Sequence, residues 1–364
     1  MTSERVAVVG TGLIGTSIAM AALRAGCEVA GFDADPDVLD RAARRAGGLR
    51  PASSLEACVA EATVVVVATP VPVTASVVAA ALEANPITIV TDVASVKSHV
   101  VREVEHLSSI EASSRFIGGH PMGGSERSGP EWASASVVDD AVWVLTPPSD
   151  AAAVGVERLS VWVTSMGAKP VVMDPARHDR LVAIVSHLPQ VASTVLMGLA
   201  ATEEAGEPDI LLLAAGGFRD LTRLAASSPE LWSEILVANR DAIGEAIDLY
   251  ATRLSELREL VLGSDGGGVE RTFADAKRAR LALSAKPQVK TGVAVLQVPV
   301  PDRPGALADL TAALGSASVN IEDLQIVHSP EGGRGTVHLT VAASAAGGAA
   351  DALTAAGFEP VRLA

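Results

Sequence analysis

Residues 10–15 read Gly10-Thr11-Gly12-Leu13-Ile14-Gly15, a Gly-x-Gly-x-x-Gly spacing that directly follows the apolar run Val6–Val9. The first glycine permits a tight turn, the second lets bare backbone approach a pyrophosphate, and the third lets a helix sit close to a strand. A helix starting there points its free N–H groups and positive dipole end at phosphate oxygens. Asp33 closes a second strand-like run, Glu28 to Phe32. Its carboxylate would accept hydrogen bonds from ribose hydroxyls and repel a 2′-phosphate, so the expected cofactor is NAD rather than NADP. Thr69-Pro70, just after a valine-rich run, is expected to line the same nucleotide.

Taking a hydride from an alcohol carbon requires a base or acceptor for the hydroxyl proton. His120, in Gly118-Gly119-His120-Pro121-Met122, is the candidate. Ser95 lies at a strand-to-helix junction, where it is either a helix cap or a hydrogen-bond partner of the reacting hydroxyl or of His120. The neighbouring Lys97 reads as a solvated first-turn lysine. Asp220 and Arg223 fall one helical turn apart. Asp220 could orient Arg223 for a bidentate grip on a carboxylate, or the two form a surface ion pair. His178-Asp179 and His187 are site residues or buried helix histidines. Two histidines without paired carboxylates make no metal site, and no metal is expected.

Several elements must position these groups. From Arg5 to about Met173 strand-like runs alternate with helical ones, which predicts a doubly wound α/β (Rossmann) domain over 1–173. The expected strands are Val6–Val9, Glu28–Phe32, Thr63–Ala68, Ile87–Thr91, Arg115–Gly118, Val142–Leu145 and Lys169–Val172. Ligands in such folds sit beyond the carboxyl ends of the strands, and Thr69-Pro70, Ser95 and His120 each fall just after one. Residues 174–288 show helical periodicity only, an all-helical substrate and dimerisation domain in which Asp265-Gly266-Gly267-Gly268 breaks the pattern before a last helix, Val269 to Ala285. After a linker at Lys286–Thr291, residues 289–364 give βαββαβ, a ferredoxin-like module. In it Asp302-Arg303-Pro304-Gly305-Ala306-Leu307 starts a helix whose free N–H groups suit a carboxylate.

Composition narrows the function classes. A length of 364 residues predicts two or three domains, and a formal net charge of −15 argues against broad nucleic-acid binding. An anionic ligand therefore needs a local cationic group. Cys27 and Cys58 give no disulfide framework, which suits a reducing cytoplasm. The N-terminus runs into a strand, with no signal peptide expected. The apolar stretch Leu181 to Ala201 contains His187, Pro189 and Gln190, and reads as a helix buried on all sides, in a core or subunit interface, rather than as a membrane span.

The chain resembles the prephenate/arogenate dehydrogenase family of tyrosine biosynthesis. The resemblance rests on Gly10–Gly15, Ala68–Val71, Asp92–Lys97, Gly118–Met122, Asp174–Asp179, Ser186-His187-Leu188-Pro189, Gly217–Arg223 and Pro229–Trp232, in order from about Arg5 to Ala285. The tail is similar to an ACT domain, a module that often binds amino acids. The resemblance implies NAD-dependent oxidative decarboxylation of prephenate to 4-hydroxyphenylpyruvate. His120 would deprotonate the C4 hydroxyl, Ser95 would hydrogen-bond it, and Arg223 would hold a substrate carboxylate. Asp220 and Trp232 would support that pocket, and His178, Asp179 and His187 would line or buttress it. Gln190 stands where many relatives carry a second histidine that can touch the substrate side chain. Arogenate remains open as the alternative substrate, as does another hydroxyacid for a dehydrogenase of the same architecture. The expected effector is tyrosine at the ACT-like module, around Asp302, Pro304, Gly305, Ala306, Leu307 and Asn320. The expected assembly is a homodimer.

Overall fold

The computed structural model describes residues 4–123, 127–148, 153–204, 206–207, 209–284, 293–301, 303–321, 323–328 and 334–363. These form two compact units, one of Met1–Gly198 with Leu224–Tyr250 and one of Leu199–Arg223 with Ala251–Ala364.

The first unit is built on strands β1 (Arg5–Val9), β2 (Glu28–Phe32), β3 (Arg50–Pro51), β4 (Val64–Val67), β5 (Ile89–Asp92), β6 (Phe116–Pro121), β7 (Val142–Thr146) and β8 (Lys169–Val172). Their order in the sheet is β3-β2-β1-β4-β5-β6-β7-β8. Strand β4 is four buried valines, β-branched residues that pack well on both faces of a covered sheet. Alternation along the strands sorts side chains onto two faces. Val6, Val8, Val64 and Val66 pack with Ile18 of the helix Leu13–Arg24, whereas Ala7, Val9, Val65 and Val67 pack with Val78 and Leu82 of the helix Val71–Ala84. The doubly wound expectation holds, with one departure. Strand β7 runs antiparallel to β6, pairing His120 with Val144 and Pro121 with Trp143. That pairing extends β6 past the two glycines, so His120 lies within a strand and not just after it.

Pro175–Val182 is helical, followed by a π-helical turn at Ala183–His187 and a helix at Leu188–Glu203. By length and composition, 175–203 would suffice to cross a membrane. The expectation of burial on all sides is not met within one chain. Leu181, Ile184, Val185, Val195 and Leu199 are exposed, because only the side carrying His178, Asp179, His187 and Gln190 packs inward.

The second unit contains the helix Gly216–Thr222, the later part of Arg240–Leu262, and Gly266–Ser284. Gly266, Gly267 and Gly268 start this last helix rather than break the pattern, because the Asp265 carboxylate accepts from the Gly268 N–H and caps the first turn. The ferredoxin-like module follows with β9 (Val293–Pro301), β10 (Asp323–His328), β11 (Arg334–Ala342) and β12 (Val361–Leu363), ordered β10-β11-β9-β12. Its two helices, Ala306–Ser316 and Ala346–Ala355, bury Leu310, Leu314 and Leu353 against Leu296, Val298, Leu339 and Val341. The expected linker at 286–291 and Asp302 lie outside the described residues.

Candidate active site

Strand polarity gathers the candidate residues of the first unit. Gly10, Asp33, Thr69, Ser95 and His120 lie at or just beyond the carboxyl ends of β1, β2, β4, β5 and β6. Gly10 turns at φ +90°, a region that disfavours side chains, and an added Cβ would collide with the Ala68 carbonyl. At Gly12 an added Cβ meets nothing within 4 Å. The helix Leu13–Arg24 begins at Gly12 without a side-chain cap, with Leu13 and Ile14 in its first turn. Asp33 reaches back to this turn, its Oδ2 accepting from the Thr11 N–H at 2.6 Å and the Thr11 hydroxyl at 3.1 Å. Thr69 sets its methyl beside Gly10, and Pro70 caps the helix Val71–Ala84. An open second glycine, uncapped N–H groups and a pre-oriented acid fit an NAD pyrophosphate and adenosine ribose.

A hydrogen-bonded chain runs into His120. The Asp179 carboxylate accepts from the backbone N–H groups of Lys97 and Ser98, each at 2.8 Å, and contacts His178 Nδ1 at 2.8 Å. His178 Nε2 in turn lies 2.8 Å from His120 Nδ1. A carboxylate only accepts, so His178 Nδ1 carries a hydrogen, and in the tautomer with one ring hydrogen Nε2 is the acceptor that faces His120 Nδ1. His120 Nδ1 must then donate, which leaves His120 Nε2 bare and able to take a proton. Burial drives the His120 pKa well below the ordinary imidazole value, with the nearby His178, Lys97 and His187 adding to the shift and Asp179 opposing it. Burial pushes the Asp179 carboxyl up, but hydrogen bonds from His178, Ser98 and Lys97 outweigh it, and the net direction is down.

Lys97 is not the solvated lysine the sequence suggests. Its side chain is fully buried, ion-paired with Asp92, and donates to the Gly119 carbonyl at 2.6 Å. Asp92 Oδ1 accepts from the Gly119 N–H at 2.9 Å. Together they grip both sides of the residue preceding His120. The His120 ring pairs with His178 and not with Ser95, which is half-buried in the connection between β5 and the helix Ser98–Leu107. Both ring nitrogens of His178 have protein partners, as a residue that buttresses the pocket would.

His187 stacks edge-on against Trp232 with centroids 5.9 Å apart. Gln190 is buried, and its amide donates to the Leu224 carbonyl at 2.8 Å, bracing the turn after Arg223. Asp220 and Arg223 belong to the second unit, both exposed, on the helix Gly216–Thr222 and the 3₁₀ turn Arg223–Ala226. In the ferredoxin-like module Gly305 starts its helix at φ +85° without a side-chain cap. Pro304, Leu307 and Asn320 are exposed and Ala306 is buried. Asp92 and Asn239 also belong to this cluster, and the sequence carries no signal of it, since an aspartate ending a strand and an asparagine between two helices look like ordinary punctuation.

A glycine-rich strand–turn–helix with an acid at the end of the next strand, and a histidine chain that reaches the carboxyl end of the same sheet at His120, define a nicotinamide-dependent oxidoreductase. Residues 18–172 match the family described as the prephenate dehydrogenase nucleotide-binding domain, 174–275 the prephenate dehydrogenase dimerization domain, and 294–357 the ACT domain. The prephenate dehydrogenase of Bacillus subtilis is 32% identical over 345 residues, covering 93% of this chain and 92% of that protein. Among solved structures, Synechocystis arogenate dehydrogenase is 29% identical with TM-score 0.67, covering 76% of this chain and 98% of that one. The prephenate dehydrogenase from A. aeolicus, solved with hydroxyphenyl propionate and NAD+, is 25% identical with TM-score 0.72, covering 78% and 99%. The chain belongs to the prephenate dehydrogenase family.

Proposed function

We propose that this protein catalyses the NAD-dependent oxidative decarboxylation of prephenate to 4-hydroxyphenylpyruvate, in tyrosine biosynthesis. The observation that carries the reading is the Asp179–His178–His120 chain, which leaves His120 Nε2 free to act as a base on the sheet edge that would hold the nucleotide. Bound NAD+ supplies the acceptor for the hydride that leaves ring C4. His120 takes the proton of the C4 hydroxyl as the hydride departs. The positive charge is shared with His178 against the Asp179 carboxylate. The ring carboxylate then leaves as CO₂, its electron pair flows to the C4 oxygen as the ring becomes aromatic, and His120 returns the proton to that oxygen. Ser95 is assigned to hydrogen-bond the same oxygen. Aromatisation supplies the driving force, so the acid–base demand on the protein is modest.

Arg223 is assigned to a substrate carboxylate on chemical grounds, with Asp220 as its support and Trp232 beside His187. Prephenate is a dianion and the chain carries a net charge of −15, so a guanidinium is required locally. We divide the chain into a nucleotide segment (1–173), a substrate and dimerisation segment (174–288) and a regulatory segment (289–364). The exposed apolar stripe Leu181, Ile184, Val185, Val195 and Leu199 supports a homodimer, and the free thiols of Cys27 and Cys58 support a cytoplasmic location. Tyrosine is the proposed effector of the ACT domain. The decisive experiment is NADH formation by purified protein with NAD+ and prephenate, with arogenate in parallel. Turnover of prephenate is expected, and absence of turnover with both substrates overturns the reading. Preference for arogenate is the second reading, favoured by the likeness to the Synechocystis enzyme.

A further inference from the structure

We propose that Asn239 is a positioning residue that fixes His187 as a hydrogen-bond donor at Nε2, opposite in sense to His120, which accepts at Nε2. The inference deepens the proposed reaction and rests on it for its catalytic consequence. Asn239 is buried between the helices Pro229–Ala238 and Arg240–Leu262. Its side-chain amide lies 3.0 Å from the backbone carbonyl of Asp179. A carbonyl only accepts, so the amide atom facing it is Nδ2, and the orientation of the group is fixed. The same Nδ2 lies 3.2 Å from His187 Nδ1. With one N–H spent on the carbonyl, the other points at a ring nitrogen that must accept. An accepting Nδ1 bears no hydrogen, and a neutral ring then carries its hydrogen on Nε2. Burial, with His178 adding and Asp179 opposing, pushes the His187 pKa down to about 4, so the ring stays neutral at physiological pH.

Asp179 thus anchors two imidazoles through different atoms. Its carboxylate sets the hydrogens along His178 and His120. Its carbonyl, through Asn239, sets the hydrogen of His187. One ring becomes a base. The other becomes a neutral donor that offers a hydrogen bond to a substrate oxygen and does not compete for the C4 proton.

The test is ¹⁵N NMR of the full-length chain, without substrate or NAD+, with the His187 signals assigned by their loss in His187→Gln. In the wild type, hydrogen is expected on Nε2 and none on Nδ1. In Asn239→Asp, whose carboxylate would accept, the hydrogen is expected to move to Nδ1. The corresponding fall in kcat/KM is about 10-fold to 100-fold, as for one lost hydrogen bond to a charged group. Hydrogen on Nδ1 of wild-type His187, or an unchanged tautomer in folded Asn239→Asp, overturns the proposal. If that variant does not fold, the wild-type spectrum decides. Because the spectra need no turnover, a failure of the prephenate reading leaves this result standing, and the reverse also holds.

Discussion

Replacing Lys97 separates the stabilising role of a buried ion pair from its role in catalysis. Lys97 and Asp92 are both fully buried, and the pair bridges the two peptide groups flanking Gly119. In Lys97→Met the unbranched side chain fills the space of the lysine stem, but the Asp92 carboxylate is left without its cation. The N–H groups of Gly119 and Ala94, at 2.9 and 3.0 Å, still serve it. Breaking a buried pair from one side costs about 3–5 kcal/mol, a large part of the roughly 5–15 kcal/mol that holds a domain folded. Adding Asp92→Asn removes the stranded charge and is expected to recover at least about 2 kcal/mol of that loss, since a buried pair replaced as a unit is often nearly neutral. Catalysis should not recover. The Gly119 carbonyl still lacks its donor, and a misplacement of His120 by as little as ~1 Å can lower the rate on the order of 100-fold. The assay is urea unfolding of the wild type, single and double variants, compared by midpoint shift, beside kcat for prephenate. A double variant no more stable than Lys97→Met would refute the charge argument. Wild-type kcat in the double variant would refute the clamp on His120.

Gly12→Ala should fold normally, since nothing stands near the new methyl, yet bind NAD+ at least about 10-fold more weakly if backbone must approach a pyrophosphate there; thermal melting and NAD+ titration measure the two effects separately. His178→Phe, unable to receive the His120 hydrogen, should lower kcat by about 10²–10⁴ while leaving NAD+ affinity unchanged. The working form of His120 is neutral and its pKa is depressed, so kcat/KM should stay level as pH falls through the ordinary imidazole value and drop only as pH passes the lowered one; an acid limb at or above 6.5 would contradict the burial argument. Val185→Glu should convert a homodimer to monomers in light scattering if the exposed stripe is the interface. Deletion of 293–364 should abolish any inhibition by tyrosine, and inhibition that survives would place the effector elsewhere.

The sheet was legible because its signals are local. Valine runs, glycine spacing and acidic strand ends are read within a few residues, and the βαββαβ order of the tail follows from alternation alone. What stayed hidden depends on partners far along the chain. The reversal of β7 cannot be seen in Val142–Thr146 itself, yet its pairing is what keeps His120 inside a strand. Lys97 carries no sign of burial, because its partner Asp92 lies five residues earlier, across an irregular connection whose path the sequence does not give. The π-helical turn at Ala183–His187, which inserts a residue into an otherwise regular helix and resets the face on which His187 appears, has no compositional signature. The donation of the Gln190 amide to the Leu224 carbonyl joins residues 34 positions apart, beyond the reach of any local pattern.

The burial of His178 and Asp179 behind His120 fits the proton balance of the proposed reaction. The C4 hydroxyl proton leaves with the hydride and is needed again on the same oxygen once the ring is aromatic, so the protein must store one proton briefly and exports none. A relay to solvent would let that proton escape. The chain instead ends at the Asp179 carboxylate, which is buried and already receives the N–H groups of Lys97 and Ser98. A carboxylate held that firmly in its ionised form stabilises the imidazolium across His178 without becoming the proton's resting place. The same fixed charge, the neutral His187 and the Asp92–Lys97 pair leave His120 as the one group in the cluster whose protonation must change during turnover.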